Sequence, residues 1–286
     1  MLVQDAMHPR VITADPHESL PDAIVKMETL RIKRLPVLQG GHLVGLLSDG
    51  EIRRHLPALH EGLTPWEFAH RAGRVRVREA MRRPVLTASP DEPLERAVRV
   101  MQGRRVGGLP VLSETGDLVG ILTLTDVLRA ALRDTPPGWG PVRGHMTGTT
   151  VHVPAEAPAG EAAARLRVTG LRVLPVLEGE RLVGVLHERD LSAAVDRAKA
   201  VHGDTVLGDQ FFLSGKTARD LMRPPGGQVR ADAPLREAVE RMLEQGVHGL
   251  PVLGEGGRLL GVVTVSDVLR AFLGETGDRS GVSASA

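Results

Sequence analysis

The sequence contains no cysteine and no tyrosine, and only two tryptophans and four phenylalanines occur among its 286 residues. The absence of cysteine excludes disulfides, thiolate nucleophiles and thiolate metal sites. The positive and negative charges also nearly cancel, because the chain has 36 lysines and arginines and 35 aspartates and glutamates. Such a chain has no strong field with which to hold nucleic acid or an anionic membrane. We therefore expect neither as a partner.

Long uncharged runs are missing too. A membrane span needs roughly 20 consecutive apolar residues, and no stretch of the sequence approaches that length without a charge. The opening residues, MLVQDAMHPR, lack the basic and apolar regions of a signal peptide. We therefore expect a cytoplasmic protein. Hydrophobic residues still make up 42% of the chain, which predicts a globular protein with a substantial core.

The signatures of common enzymes are absent as well. The sequence has no G-x-S-x-G motif, no phosphate-binding P-loop, no glycine fingerprint of a dinucleotide fold and no convincing Ser/His/Asp set. Its 11 histidines form no H-x-x-x-H motif and no His/Asp constellation. We expect a protein that is not an enzyme, that requires no cofactor and that has no metal site.

What the sequence does contain is one repeat, present four times. The copies centre on IKRLPVLQGGHLVGLLSDGEI, GGLPVLSETGDLVGILTLTDV, LRVLPVLEGERLVGVLHERDL and HGLPVLGEGGRLLGVVTVSDV. A short motif that ends in methionine precedes each copy, and these methionines are Met7, Met81, Met146 and Met222. Each methionine lies 29 residues before the central proline of its copy. The constant spacing predicts four units of the same structure.

The four repeats form two pairs. Met7 and Met146 are 139 residues apart, and Met81 and Met222 are 141 residues apart, so the chain is a duplicated pair with a Pro/Gly linker between the halves. The predicted boundaries are repeat 1 at 1–56, a linker helix at 57–74, repeat 2 at 75–134, the linker between the pairs at 135–141, repeat 3 at 142–196, a linker at 197–215, repeat 4 at 216–273 and a disordered tail at 274–286.

Each repeat is predicted to have the order β-α-β-β-α. A short β-branched run precedes apolar residues at helical spacing, which in repeat 2 are Leu94, Ala97, Val98 and Met101 and in repeat 4 are Leu235, Ala238, Val239 and Met242. Two apolar strands, such as LPVL and LVGIL, then form a hairpin over a Gly-containing turn, and a final helix follows an acidic residue. The helices cover one face of the sheet, so each repeat needs a partner to bury the rest.

These features at fixed offsets resemble the CBS domain family, in which two such units pair into a Bateman module. The resemblance covers residues 1–273. It implies an α/β sandwich fold with two pseudo-twofold modules, which stack as a disc within one chain or form a homodimer. The linker between the first two repeats is also similar to that of acetoin-utilisation-type CBS proteins. A second CBS pair stands where those proteins usually carry an ACT domain, so their function does not transfer.

The resemblance also implies adenosine-containing ligands in the clefts between paired repeats. The family pattern is G-h-h-T-x-x-D, with the threonine on phosphate and the aspartate on ribose. It is matched by Gly120, Thr123 and Asp126 in repeat 2 and by Gly261, Thr264 and Asp267 in repeat 4. These roles agree with the chemistry of the groups, because one ionised carboxylate can accept hydrogen bonds from both vicinal hydroxyls of a ribose and a helix N-terminus favours phosphate. We rank repeats 2 and 4 first.

Repeats 1 and 3 depart from the pattern. Repeat 1 has Ser48 and Glu51 at the two positions, and Glu51 is one methylene longer than aspartate. Repeat 3 has His187 and Asp190. His187 is bulkier than threonine and would occlude a phosphate or, when protonated, bind it. Repeat 3 therefore ranks third and repeat 1 last.

The residues just before the central proline complete the candidate site. Repeats 2 and 4 have Gly107–Gly108 and His248–Gly249, whose small residues let a base approach the backbone. In family members that bind adenylates, basic residues near this position reach phosphates across the cleft, which makes candidates of Lys33, Arg34, Arg172 and His248. Two threonines of the upstream β-branched run, Thr13 and Thr87, are also candidate contacts.

Each candidate has a structural alternative. A threonine three residues before an acid at a helix start is also a capping box, the basic residues are equally compatible with solvated surface, and we expect the recurring methionines to be packing anchors. The predicted function is a sensor that binds AMP, ADP, ATP or another adenosine derivative and regulates an unidentified protein. The alternative is a ligand-free adaptor that mediates protein assembly. The residues leave the choice of adenosyl ligand open.

Overall fold

The computed structural model describes residues 1–55, 74–134, 139–148, 151–169, 173–187, 190–191, 194–195 and 213–275. These residues divide into two compact units, and the boundary falls between Val127 and Leu128. Residues 57–73 of the predicted linker helix, most of the linker at 197–215 and the predicted tail beyond Glu275 lie outside the described residues. No helix within the described ranges is both long enough and apolar enough to cross a membrane.

The first unit contains repeats 1 and 2, except for the end of the last helix. Repeat 1 consists of α1 (Val3–Ala6), α2 (Leu20–Thr29), β1 (Arg34–Gln39), β2 (His42–Ser48) and α3 (Asp49–His55). Repeat 2 consists of α4 (Val77–Ala80), α5 (Leu94–Gly103), β3 (Gly108–Leu112), β4 (Leu118–Thr123) and α6 (Leu124–Arg133). Strands β1 and β2 pair antiparallel, as do β3 and β4.

The second unit contains repeats 3 and 4. Repeat 3 consists of a 3-10 turn (Val142–Gly144), β5 (Thr147–Gly148), β6 (Val153–Pro154), α7 (Ala159–Thr169), β7 (Val173–Glu178) and β8 (Arg181–His187). Repeat 4 consists of α8 (Ala218–Leu221), β9 (Val229–Arg230), α9 (Leu235–Gln245), β10 (Gly249–Leu253), β11 (Leu259–Thr264) and α10 (Val265–Phe272). The mixed α/β fold with four similar repeats agrees with the sequence prediction.

The first strand of each repeat is shorter than the sequence predicted. It has two residues in repeats 3 and 4, and in repeats 1 and 2 it is reduced to single parallel bridges from Ala14 to Val37 and from Ala88 to Val111. Pro16 and Pro90 follow these bridges closely. Because proline has no backbone N–H to donate to a ladder, it ends the pairing there.

The long helices bury the faces that their apolar spacing predicts. Helix α5 buries Leu94, Ala97, Val98 and Met101, each at most 2% exposed, and α9 buries Leu235, Ala238, Val239 and Met242. These positions follow the i, i+3, i+4, i+7 pattern of a one-sided helix. Hairpin residues such as Leu35, Val37 and Leu47 form the core of repeat 1 with the buried face of α2.

The four hairpins share one register. In each, the pairing shifts after the valine of the first strand, which for β3 is between Val111 and Leu112. Because of this register, the residue that opens the first strand lies opposite the last residue of the second. The opposed pairs are Arg34 and Ser48, Gly108 and Thr123, Val173 and His187, and Gly249 and Thr264. The hairpin thus brings two groups of candidate residues together.

The two repeats of each pair exchange their methionine motifs. The residue that follows each methionine pairs with the second hairpin strand of the other repeat: His8 with Ile121, Arg82 with Leu46, Thr147 with Val262 and Arg223 with Val185. The same segments accept a backbone hydrogen bond from the helix start of the other repeat, as Met1 O does from Leu94 N at 3.0 Å and Val75 O from Leu20 N at 2.9 Å. The second strand of each hairpin therefore pairs with a segment of the other repeat, which is the strand β5 in the sheet of repeat 4 and an isolated bridge in the other three.

The exchange explains why each second strand carries a glycine. A Cβ on Gly120 would lie 2.5 Å from Met7 Sδ, and side chains on Gly45 and Gly184 would meet Met81 and Met222 in the same way. These three methionines are packing anchors, as predicted, but they anchor the opposite repeat. At Gly261 the obstacle is backbone, since a Cβ would lie 3.1 Å from Thr147 C and 3.3 Å from Gly148 Cα.

Candidate functional site

The candidate side chains lie where a hairpin runs directly into a helix. Strand β4 ends at Thr123 and α6 begins at Leu124, while β11 ends at Thr264 and α10 begins at Val265. The sequence predicted that these helices follow Asp126 and Asp267. Each helix instead begins two residues before the aspartate, so the aspartate is the third residue of the helix and its carboxylate reaches back to the helix start.

In repeat 2 the threonine and the aspartate form a reciprocal cap. Thr123 N donates to Asp126 Oδ2 at 2.9 Å, and Thr123 Oγ1 donates to the same oxygen at 2.6 Å. In return, Asp126 N donates to Thr123 Oγ1 at 3.4 Å. This arrangement is a capping box, which the sequence analysis named as the structural alternative to a ligand-binding role for the two residues. Both side chains are half-buried, so solvent still reaches the pair.

Arg34 of repeat 1 extends to the glycine pair of repeat 2. A Cβ on Gly108 would lie 3.2 Å from Arg34 Cδ and 3.3 Å from Arg34 Nε, and one on Gly107 would meet the guanidinium itself. Gly107 O also accepts a hydrogen bond from Leu124 N at 3.1 Å, which ties the glycine pair to the start of α6. The structure thus brings Arg34, the two glycines and Thr123 to one place, with Asp126 one helical turn away.

The other predicted residues of the first pair are Thr13, Thr87 and Lys33. Thr87 is exposed, and the next residue, Ala88, pairs with Val111 on the edge of β3 that faces away from β4. Thr13 occupies the matching position in repeat 1, where its carbonyl accepts a hydrogen bond from Lys26 Nζ at 3.3 Å. Lys33 is exposed, and its carbonyl accepts from Asp49 N at 3.3 Å.

In repeat 4 the carboxylate of Asp267 is enclosed. Asp267 is 2% exposed, and its Oδ2 accepts from Thr264 N and Thr264 Oγ1, both at 2.6 Å. Its Oδ1 accepts from Thr147 Oγ1 at 3.4 Å and from the guanidinium of Arg270. Gly249 lies buried opposite Thr264, as Gly108 lies opposite Thr123. His248 is half-buried, and its carbonyl accepts from Val265 N at 3.0 Å.

His145 lies close to this enclosed carboxylate. Burial lowers the pKa of His145 below its usual range; the negative charge of Asp267 opposes this shift and the positive charge of Arg270 adds to it. The imidazole is therefore mainly neutral at pH 7. His145 directly precedes Met146 and Thr147, so it enters the site on the exchanged segment of repeat 3.

In repeat 3 the acid is held by an arginine of the other repeat. Asp190 Oδ1 accepts from Arg223 Nε at 2.8 Å and from Arg223 Nη2 at 2.5 Å, while Asp190 Oδ2 accepts from His187 N at 3.2 Å. In repeat 1, Ser48 Oγ donates to Glu51 Oε2. Arg172, a predicted phosphate contact, lies outside the described residues.

Four residues near the acids were not predicted from the sequence: His145, Thr147, Arg223 and Arg270. Thr147 and Arg223 share one signal, because each directly follows the methionine of its motif. Arg270 follows Asp267 by three residues and so lies on the same face of α10. Within the described ranges, no group of three or more histidine and acidic side chains is placed to hold a metal ion.

Comparison with known proteins identifies the repeats. Residues 3–58, 77–133, 142–197 and 218–274 each match the family described as CBS domain. These four stretches account for most of the chain and coincide with the four repeats.

Similar proteins occur in archaea. Protein MJ1225 of Methanocaldococcus jannaschii is 25% identical over 93% of this chain and 97% of that protein. Its crystal structure matches at a TM-score of 0.74 with 23% identity and covers 95% of this chain and 100% of that one. A conserved protein from Pyrococcus horikoshii matches at a TM-score of 0.66 with 20% identity, over 95% of this chain and 99% of that one. These structural likenesses show the fold.

Enzymes also occur among the similar proteins. Inosine-5'-monophosphate dehydrogenase of Methanocaldococcus jannaschii is 30% identical over 120 residues, which are 42% of this chain but only 21% of the enzyme. The similarity is therefore restricted to about a fifth of that protein.

Proposed function

The chain belongs to the CBS domain family, and from that membership we propose that it is a regulatory sensor. It binds AMP, ADP, ATP or another adenosine derivative in the clefts of its paired repeats and controls a partner protein through a change in conformation or oligomeric state. The observation that carries the proposal is the junction in repeat 2, where Thr123 and Asp126 lie beside Gly107 and Gly108, with Arg34 reaching them from repeat 1.

Each part of an adenosine ligand has a suitable group at this junction. Two vicinal ribose hydroxyls suit an ionised carboxylate, which Asp126 supplies. A flat base suits a backbone without side chains, which Gly107 and Gly108 supply. A phosphate group is favoured by a helix N-terminus and by a guanidinium. The start of α6 supplies the first, and Arg34, which lies next to Gly107 and Gly108, supplies the second.

The junction also offers a physical basis for switching. Asp126 belongs to repeat 2 and Arg34 belongs to repeat 1, so a ligand that binds both depends on how the two repeats are spaced. Binding shifts a conformational equilibrium only when the ligand prefers one arrangement over the other. A ligand that replaces the contact between Arg34 and Gly107 would have such a preference.

The alternative function, a ligand-free adaptor, is supported by a specific observation. The same threonine–aspartate cap occurs at the start of α8, where Thr217 N and Thr217 Oγ1 donate to Asp220 Oδ2 at 2.8 and 2.9 Å. This helix belongs to a methionine motif and has no glycine pair beside it. The cap alone therefore does not indicate a ligand. The evidence for a ligand in repeat 2 comes from the groups beside the cap, which are Gly107, Gly108 and Arg34.

A thermal-shift panel separates the two functions. The wild-type chain is heated with AMP, ADP, ATP, NAD, S-adenosylmethionine and, as a control without adenine, GMP. A ligand at 100 times its Kd adds about 2.7 kcal/mol to native stability, which raises the Tm of a protein this size by about 4–5 °C. We expect such a shift with at least one adenine compound and a smaller one with GMP. No shift with any adenine compound would favour the adaptor.

A further inference from the structure

The two intact motifs are alike in sequence but differ in accessibility. Asp126 is half-buried, whereas Asp267 is 2% exposed. Both are followed three residues later by an arginine. Arg129 of repeat 2 is exposed. The side chain of Arg270 is 26% exposed and lies against Asp267. The exposure of the carboxylate therefore differs between the two repeats although the motif is the same.

The acceptor sites of Asp267 are taken up by its own protein. A carboxylate offers about four lone-pair sites. Thr264 uses two of them through its backbone N–H and its hydroxyl, Thr147 uses a third, and Arg270 donates to the same oxygen as Thr147. While these contacts hold, the two hydroxyls of a ribose find no acceptor at Asp267.

Replacing Arg270 by a ribose is also unfavourable in charge. The arginine neutralises a carboxylate that is almost fully removed from water, and a buried charge that loses its partner is strongly destabilising. A ribose offers only neutral hydroxyls in exchange. The ion pair between Arg270 and Asp267 therefore opposes binding by more than simple occupation of space.

Repeat 3 shows the same arrangement with a different arginine. Arg223 donates to Asp190 through Nε and Nη2, at 2.8 and 2.5 Å, and the Asp190 side chain is 10% exposed. Arg223 comes from the exchanged segment of repeat 4, whereas Arg270 comes from the same helix as its aspartate. Both carboxylates of the second pair are thus paired with an arginine, although the two arginines come from different elements.

We propose that Arg270 closes the cleft of repeat 4 to nucleotide, so that each chain binds one adenosine ligand, at repeat 2. This inference rests on the proposed function and restricts it to one of the two intact motifs. It changes the ranking made from the sequence, in which repeats 2 and 4 were equal. Arg270 is then a residue that determines which repeat binds.

Calorimetric titration with AMP, with ATP as a second probe, measures the number of sites. We expect one AMP per wild-type chain and two per Arg270→Gln chain, and we expect the second site to be lost again in the double variant Arg270→Gln/Asp267→Asn. Arg129→Gln, at the matched position of repeat 2, should keep one site. Two sites in the wild type, one of them lost in Asp267→Asn, would overturn the proposal, as would a single site in Arg270→Gln.

A second measurement does not depend on ligand. The pKa of His145 is followed by NMR, with His145→Gln to assign the signal. Removing the Arg270 charge should raise this pKa, because Arg270 lowers it and Asp267 raises it. An unchanged pKa in Arg270→Gln would show that the ion pair is absent and would overturn the proposal. A raised pKa without AMP or ATP binding in any variant would instead overturn the proposed function and leave Arg270 with a structural role.

Folding of the variants is controlled separately. Arg270→Gln leaves a buried carboxylate without its cation and is expected to lower stability, whereas the double variant removes both charges. If Arg270→Gln does not fold, the single variants Asp126→Asn and Asp267→Asn decide which repeat binds in a chain that keeps Arg270. We expect Asp267→Asn to keep one AMP site and Asp126→Asn to lose it, and the reverse result would count against the proposal.

Discussion

Asp126→Asn is expected to weaken AMP binding about 100-fold. Two hydrogen bonds to a charged group contribute about 1.5 kcal/mol each, and the loss of each raises the Kd about tenfold. The asparagine keeps one oxygen that can accept from Thr123 N, so the helix cap is preserved in part. It loses the negative charge and the second acceptor oxygen, which are the groups that a ribose diol requires. Calorimetric titration of the wild type and the variant gives the ratio of the two Kd values.

Asp220→Asn is the matched control for this prediction. Thr217 and Asp220 form the same cap as Thr123 and Asp126, and the hydrogen bonds from Thr217 lower the pKa of Asp220 below its usual range. Weakening the cap should reduce stability in both variants by up to about 1 kcal/mol, while only Asp126→Asn should change the Kd. An unchanged Kd in Asp126→Asn would mean that Asp126 is a cap and no more.

Gly261→Ala is expected to lower the free energy of unfolding of the second unit by about 1–3 kcal/mol or more, because it overpacks a closed interior. The added Cβ would meet the backbone of Thr147 and Gly148, and a backbone cannot turn aside as a side chain can. This backbone is β5, which pairs with β11 at Gly261 and Val262. Urea unfolding followed by circular dichroism measures the change.

Two other glycines calibrate the result. Gly160 lies in α7 of the same unit with open space around the position of a Cβ, so Gly160→Ala should be neutral or stabilise by up to about 1 kcal/mol. At Gly45 the obstacle is the flexible tip of Met81, so Gly45→Ala should cost less than Gly261→Ala. A Gly261→Ala variant as stable as the wild type would argue against exchange of the methionine segments.

Features that depend on local periodicity were predictable from the sequence. The buried face of α5 follows from the spacing of Leu94, Ala97, Val98 and Met101, and the hairpins follow from paired apolar runs around a turn. The exchange of methionine segments was not predictable. A methionine at a constant distance from the proline is equally compatible with packing on its own repeat or on the other, and Met7 packs on Gly120, far along the chain.

Part of the candidate site could likewise be predicted from local sequence, and part depends on contacts between distant residues. The junction of β4 and α6 is local, so the motif was sufficient to place Thr123 next to Asp126. The enclosure of Asp267 depends on Thr147, which is 120 residues away in the sequence, and on the side-chain conformation of Arg270. Because neither is encoded in the Thr-x-x-Asp pattern, two identical motifs acquire different surroundings.

The central claim is that repeat 2 binds an adenosine ligand through Asp126. A crystal structure determined after soaking with saturating AMP tests it most directly. We expect AMP in repeat 2, with both sugar hydroxyls within hydrogen-bonding distance of Asp126 and the base against Gly107 and Gly108. AMP bound elsewhere in the chain and away from Asp126, or no bound AMP at saturation, would contradict it.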